Sequence, residues 1–126
     1  MVQLQDKIFK LVLRLQGNIK LYHWNTLNYN RHLISDQLYS NLDPLLDQFV
    51  ELVLARQDRK ASAQPVSISF QIMTDEQFIL YLKQFAQAFI QLANKLFDPT
   101  TDPDIMSVKD DIISAVQQAL YLSKMK

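Results

Sequence analysis

The chain contains no cysteine, a single glycine and four prolines. Without cysteine there are no disulfides, thiolate metal sites or cysteine nucleophiles. So little glycine and proline leaves too few turn residues for a turn-rich all-β fold. Charge of one sign is also missing, because 13 Lys and Arg balance 13 Asp and Glu. That balance gives no bulk attraction for nucleic acid. The ending Ser123-Lys124-Met125-Lys126 is too short for a basic tail, so DNA binding is not expected. No run is long and apolar enough to span a bilayer, and the N-terminus lacks a continuous apolar stretch followed by a cleavage site. No membrane partner is expected, and the expected location is the cytoplasm.

What is present is helix-forming and apolar. With 126 residues, 48% of them hydrophobic, the chain suits one domain (1–126) around one core. Leu4, Ile8, Leu11, Val12, Leu15, Ile19 and Tyr22 recur at helical spacing and predict helix A over about residues 2–26. The turn Thr26-Leu27-Asn28-Tyr29-Asn30 folds helix B back antiparallel, from about Asn30 to Arg59. That turn brings His23 near His32. Helix B buries Ile34, Leu38, Leu42, Leu45, Phe49, Leu52 and Val53. Thr74-Asp75-Glu76-Gln77 is a capping box opening helix C, which carries Phe78, Leu82, Phe85, Phe89, Leu92 and Leu96 and stops at Asp98-Pro99. Asp102-Pro103 reads as the N-cap and first position of helix D, with Ile105, Val108, Ile112, Val116, Ala119 and Leu122 inward.

Residues 61–73 have no helical period. Extended, 13 residues reach about 43 Å, close to the length of helix B. Such a connection can return along helix B and start helix C parallel to it. The expected fold is therefore all-α, a four-helix bundle with one long crossover between helices B and C, the mark of ferritin-like topology. The alternative for this segment is a short strand in which Val66, Ile68, Phe70 and Ile72 alternate.

The outer face of helix B carries the chemistry. His32 and Asp36 form one i,i+4 pair, Asp47 and Glu51 another, and each pair could chelate a metal from one helix face. Asp36 and Asp47 are eleven residues apart, three turns plus about 20°, so both pairs share one stripe. They are about 16 Å apart along the axis, too far to share an ion. Two antiparallel copies crossing between Asn41 and Leu42 would set His32 and Asp36 of one beside Asp47 and Glu51 of the other, making two sites at once. Leu33, Tyr39, Val50 and Leu54 flank the stripe, a mixture that suits an interface with a polar site in it. Asp43-Pro44 lies between the pairs. It reads either as a break, which would restart the helical wheel, or as a tolerated, kinked proline that keeps both pairs, and the second reading is favoured.

His23-Trp24-Asn25, followed by His32-x3-Asp36 and Asp47-x3-Glu51, resembles the Dps-type mini-ferritins over residues 20–55. The resemblance implies a ferroxidase centre across a two-fold interface, in which Fe²⁺ is oxidised by peroxide or oxygen and held as ferric oxide. His23, His32 and Asp36 would come from one subunit and Asp47 and Glu51 from the other, with Trp24 beside the iron to quench oxidising intermediates. Asp36 and Glu51 would be the principal ligands. It further implies a homodimer through helix B, possible assembly into a dodecameric or other shell, and a part in resisting oxidative stress. Carboxylate with imidazole suits iron, with Zn or Mn as substitutes. Short ferritin-like proteins of viruses and phages share this abbreviated form, which would place such a member in a host cytoplasm.

Blander readings stand beside these. The interval from His23 to His32 is three residues shorter than the family's, and His23 is equally readable as a core histidine bonded across the turn. Trp24 is readable as a packing residue. Asp110 and Asp111 read as surface charges, or as lining an ion route if a shell forms. Lys7, Lys10, Arg14 and Lys20 read as a solvated face. The competing function is a metal-free helical-bundle interaction or assembly protein that uses the Tyr39, Val50 and Leu54 face only to dimerise.

Overall fold

The structure, a computed structural model, describes residues 2–57 and 65–125. Four helices make it up: α1 (Val2–Asn25), α2 (Tyr29–Gln57), α3 (Asp75–Leu96) and α4 (Pro103–Leu122). They form a four-helix bundle in which α1 and α4 each pack against both α2 and α3. Buried side chains from all four make one core, with Tyr22, Phe49 and Phe89 among the largest.

Local chemistry sets the helix ends. Asn28 Oδ1 accepts the Arg31 N–H at 3.0 Å, which starts α2. The capping box forms as expected: Thr74 Oγ1 accepts the Gln77 N–H, and Gln77 Oε1 accepts the Thr74 N–H. Asp102 precedes Pro103 at the start of α4 but makes no side-chain cap. Its carboxylate instead accepts the Asp98 N–H and pairs with Arg56.

α2 is continuous through Pro44. Proline supplies no N–H, so the Ser40 carbonyl loses its helical partner. Both residues are exposed, and water can take the vacated bond. The stripe on α2 therefore keeps one helical phase. The expected end at Arg59 lies outside the described residues, as does the side chain of Leu4.

Contacts at the two ends set the helix directions. At one end Tyr22, late in α1, stacks on Phe78 in the first turn of α3, with ring centroids 3.8 Å apart. Arg31, in the first turn of α2, donates to the carbonyls of Asp75 and Ser123 at the same end. At the other end Arg56, in the last turn of α2, pairs with Asp102 and Asp104 at the start of α4. Hence α1 and α4 run one way and α2 and α3 the other. The chain leaves α2 at the Arg56 end and enters α3 at the Tyr22 end.

Of the connecting segment, residues 65–74 are described, and they contain no strand. The expected alternation gives way to a single extended stretch touching α1. Phe70 lies against Gly17, where an added Cβ would come within 2.1 Å of its ring. The Gln71 N–H donates to Asn18 Oδ1 at 2.9 Å. Val66 and Ile72 are exposed, and Met73 is buried. The single glycine thus makes room for an aromatic ring from the segment that precedes α3. Two core assignments shift as well: Leu46 is fully buried where Leu45 was expected, and Phe97 joins the core beyond the end of α3.

Candidate functional site

The turn between α1 and α2 brings the two histidines face to face, with ring centroids 3.9 Å apart and planes 19° from parallel. Each ring bonds the backbone of the other: His23 Nδ1 lies 3.0 Å from the His32 carbonyl, and His32 Nδ1 lies 3.0 Å from the His23 carbonyl. A carbonyl only accepts, so Nδ1 carries the proton in both rings. The lone pair of each neutral ring is then on Nε2. A backbone bond at one nitrogen that fixes the other as donor is the usual support of a metal-ligating histidine. The buried Ser35 completes the group, its Oγ lying 3.2 Å from His23 Nδ1 and donating to the His32 carbonyl at 3.0 Å. Ser35 was missed in the sequence. Its only signal was a small polar residue one turn after His32, on the side of α2 that the turn covers.

Asp36 lies one turn along α2, exposed on the same stripe as His32. Farther along, Asp47 and Glu51 are exposed. A hydrogen bond that the protonated Glu51 donates to the Asp47 carboxylate, reinforced by the charge of Asp47, raises the Glu51 carboxyl above the ordinary glutamate value. Two neighbouring carboxyls of like sign on one helix face favour a cation between them. Among the described residues, no three His, Cys, Asp or Glu side chains of one chain converge on a metal position. The fold thus joins His23 to His32, and Asp47 to Glu51, but keeps the two groups apart on α2.

Trp24 is 69% exposed, so it is not a core-packing residue. Asp110 and Asp111 are exposed, and Asp110 pairs with Lys109 at 3.0 Å. Lys20 departs from simple solvation: its Nζ sits 4.1 Å from the Tyr39 ring centroid, a cation–π contact across the α1–α2 groove. Gln16 reaches Asp43 over the same groove at 3.1 Å.

A second network braces the histidine end. The Tyr22 hydroxyl donates to Asp75 at 2.6 Å, and the Thr26 hydroxyl donates to the same oxygen at 2.9 Å. Burial, with help from Asp75, pushes the Tyr22 phenol up to about 12. These bonds pin the start of α3 to the α1–α2 turn, and so hold the backbone carbonyls that orient both imidazoles. They join residues about fifty positions apart, and local sequence pattern carried no sign of them.

A model for a family of unknown function (DUF5856) matches residues 23–122. The chain belongs to that family. The matched region begins at His23 and includes every candidate ligand. No curated protein and no solved structure matches the chain.

Proposed function

We propose that this protein binds Fe²⁺ and oxidises it with peroxide or oxygen, acting as a mini-ferritin that detoxifies or stores iron. The reading is carried by the reciprocal histidine pair, whose backbone bonds hold both imidazoles as Nδ1–H tautomers with Nε2 available. The sequence resemblance to Dps-type proteins and the parallel course of α2 and α3 support it. In this reading each site needs two chains. One supplies His32 and Asp36, with His23 stacked behind; the other supplies Asp47 and Glu51. The mixed nitrogen and oxygen donors suit Fe²⁺, with Mn²⁺ or Zn²⁺ as substitutes. Peroxide takes one electron from each of two Fe²⁺ ions and, with two protons, leaves as water. Trp24, exposed beside His23, is placed to be oxidised in preference to the core. No described helix is long and apolar enough to cross a membrane, and the proposed setting is the cytoplasm.

A second reading is a metal-free assembly module. It is favoured by the same observation that leads the first reading to two chains, that among the described residues no three possible ligands of one chain come together. Adding Fe²⁺ and limiting peroxide under anaerobic conditions, with ferric absorbance as the readout, separates the two. Rapid oxidation that is lost in Asp36→Ala supports the ferroxidase. Equal traces at the uncatalysed rate support the assembly module.

A further inference from the structure

Between α1 and α2 lies a cavity of about 170 Å³, open to solvent on one side. Phe9, Val12 and Leu46, all buried, close its inner side. Leu13, exposed, and Val50, half-buried, stand at the mouth. An apolar cavity of about 150 Å³ takes up a molecule the size of benzene, so this one has room for a single ring or a branched alkyl group. Apolar walls alone would accept any small hydrocarbon. Two polar residues also line this cavity, and they decide the polarity of what fits.

Those residues are Asp47 and Gln16. Asp47 is exposed and sets a carboxylate at the mouth rather than among the apolar walls. An ionised carboxylate only accepts hydrogen bonds. Gln16 donates through Nε2 to Asp43 at 3.1 Å, and its amide oxygen is an acceptor too. No lysine, arginine or histidine lines the cavity. Among the described residues, neither Asp47 nor Glu51, one turn farther along, pairs with a cation. Two carboxyls of like sign favour a positive group beside them. The wider hollow between residues 71–73 and α3, about 510 Å³, is lined by no charged side chain and makes no such choice.

We infer that the α1–α2 cavity binds a small primary amine, with its apolar body against Phe9, Val12 and Leu46 and its ammonium on the Asp47 carboxylate and the Gln16 amide oxygen. A primary ammonium carries three donors on one centre, enough for both acceptors and a water. The inference does not rest on iron chemistry, but it shares Asp47 with the proposed iron site. A bound amine therefore withholds Asp47 from a metal.

The test uses the full chain in chelator, without iron. Benzylammonium and benzyl alcohol share one ring and one methylene, and only the first is charged. Isothermal titration calorimetry, with ligand-observed NMR for the weaker ligand, gives both affinities. The amine is expected to bind at least about tenfold more tightly than the alcohol, the equivalent of one charge-assisted hydrogen bond. Methylammonium, which has the charge without the apolar body, is expected to show no binding. Asp47→Asn, an exposed change, is expected to bring the amine down to the affinity of the alcohol. Val50→Phe, which fills the mouth, is expected to lose both ligands with unchanged helical circular dichroism. No binding of the amine to the native chain, equal affinities for amine and alcohol, or amine binding that Asp47→Asn leaves intact each overturns the inference. Ferric formation is measured separately, without amine, so a failure of the iron reading and a failure of this one are told apart.

Discussion

The two ends of the α2 stripe are built differently. At the His32 end, two rings are stacked, half-buried and bonded to each other's backbone, with Ser35 and the Tyr22–Asp75 brace behind them. At the Glu51 end, two exposed carboxyls lie side by side and interact directly. The first end is preorganised by the fold, and removing a part of it disturbs folding. The second end is a pair of surface side chains that can move to meet a ligand. In the proposed site, one half would set geometry while the other supplies charge.

That contrast can be broken most severely from the carboxylate end. Asp47→Ala/Glu51→Ala is expected to abolish catalysed ferric formation while leaving stability within about 0.5 kcal/mol, the usual range for exposed substitutions. Stopped-flow absorbance and thermal melting check the two halves of that statement. A large loss of stability would mean that the carboxyls, too, are structural.

The brace gives a pH test of the other end. A phenol raised on folding stabilises the native state fully below its unfolded value of about 10 and loses that contribution as pH rises through its folded value. Because Tyr22 titrates at about 12 in the fold, stability is expected to fall between pH 10 and 12. The fall attributable to this one group is on the order of 2 kcal/mol. Tyr22→Phe should flatten the profile over that interval. Identical alkaline profiles for the two proteins would remove the brace from the account.

Smaller effects sharpen the comparison. His23→Ala removes the donor to the His32 carbonyl and is expected to cost about 1–2 kcal/mol, together with a slower oxidation rate. Ser35→Ala is expected to cost about 1 kcal/mol, through the lost bond to the same carbonyl. Chemical denaturation measures both. If either proves as silent as the carboxylate pair, the two ends do not differ as described.

How much of this was readable beforehand follows from the range of the interactions. The helices, the capping box at Thr74 and the phase of the stripe are local patterns, and periodicity exposed them. The meeting of His23 and His32 was also legible, because a short turn between antiparallel helices leaves little freedom. Leu46 was passed over for Leu45 because two adjacent leucines satisfy a helical stripe almost equally, and only packing chooses between them. Gly17 carries no local signal of its role. Its use emerges only when Phe70, more than fifty residues later, lies across it. The Tyr22–Asp75 brace was hidden for the same reason. Pro44 left a break open beside the favoured reading of a tolerated proline, because sequence alone does not show whether the vacated carbonyl has another partner; here Ser40 and Pro44 are both exposed.

The central claim is that each iron site is made of halves from two chains, and mixing tests it most directly. One variant, His32→Ala/Asp36→Ala, lacks the imidazole half; another, Asp47→Ala/Glu51→Ala, lacks the carboxylate half. Each alone is expected to oxidise Fe²⁺ at the uncatalysed rate. After exchange in equal amounts, half of the dimers are mixed, and each mixed dimer holds one complete site and one empty of ligands. The account predicts recovery of about a quarter of the native oxidation per chain. No recovery, with mixed dimers demonstrated by mass, would contradict it.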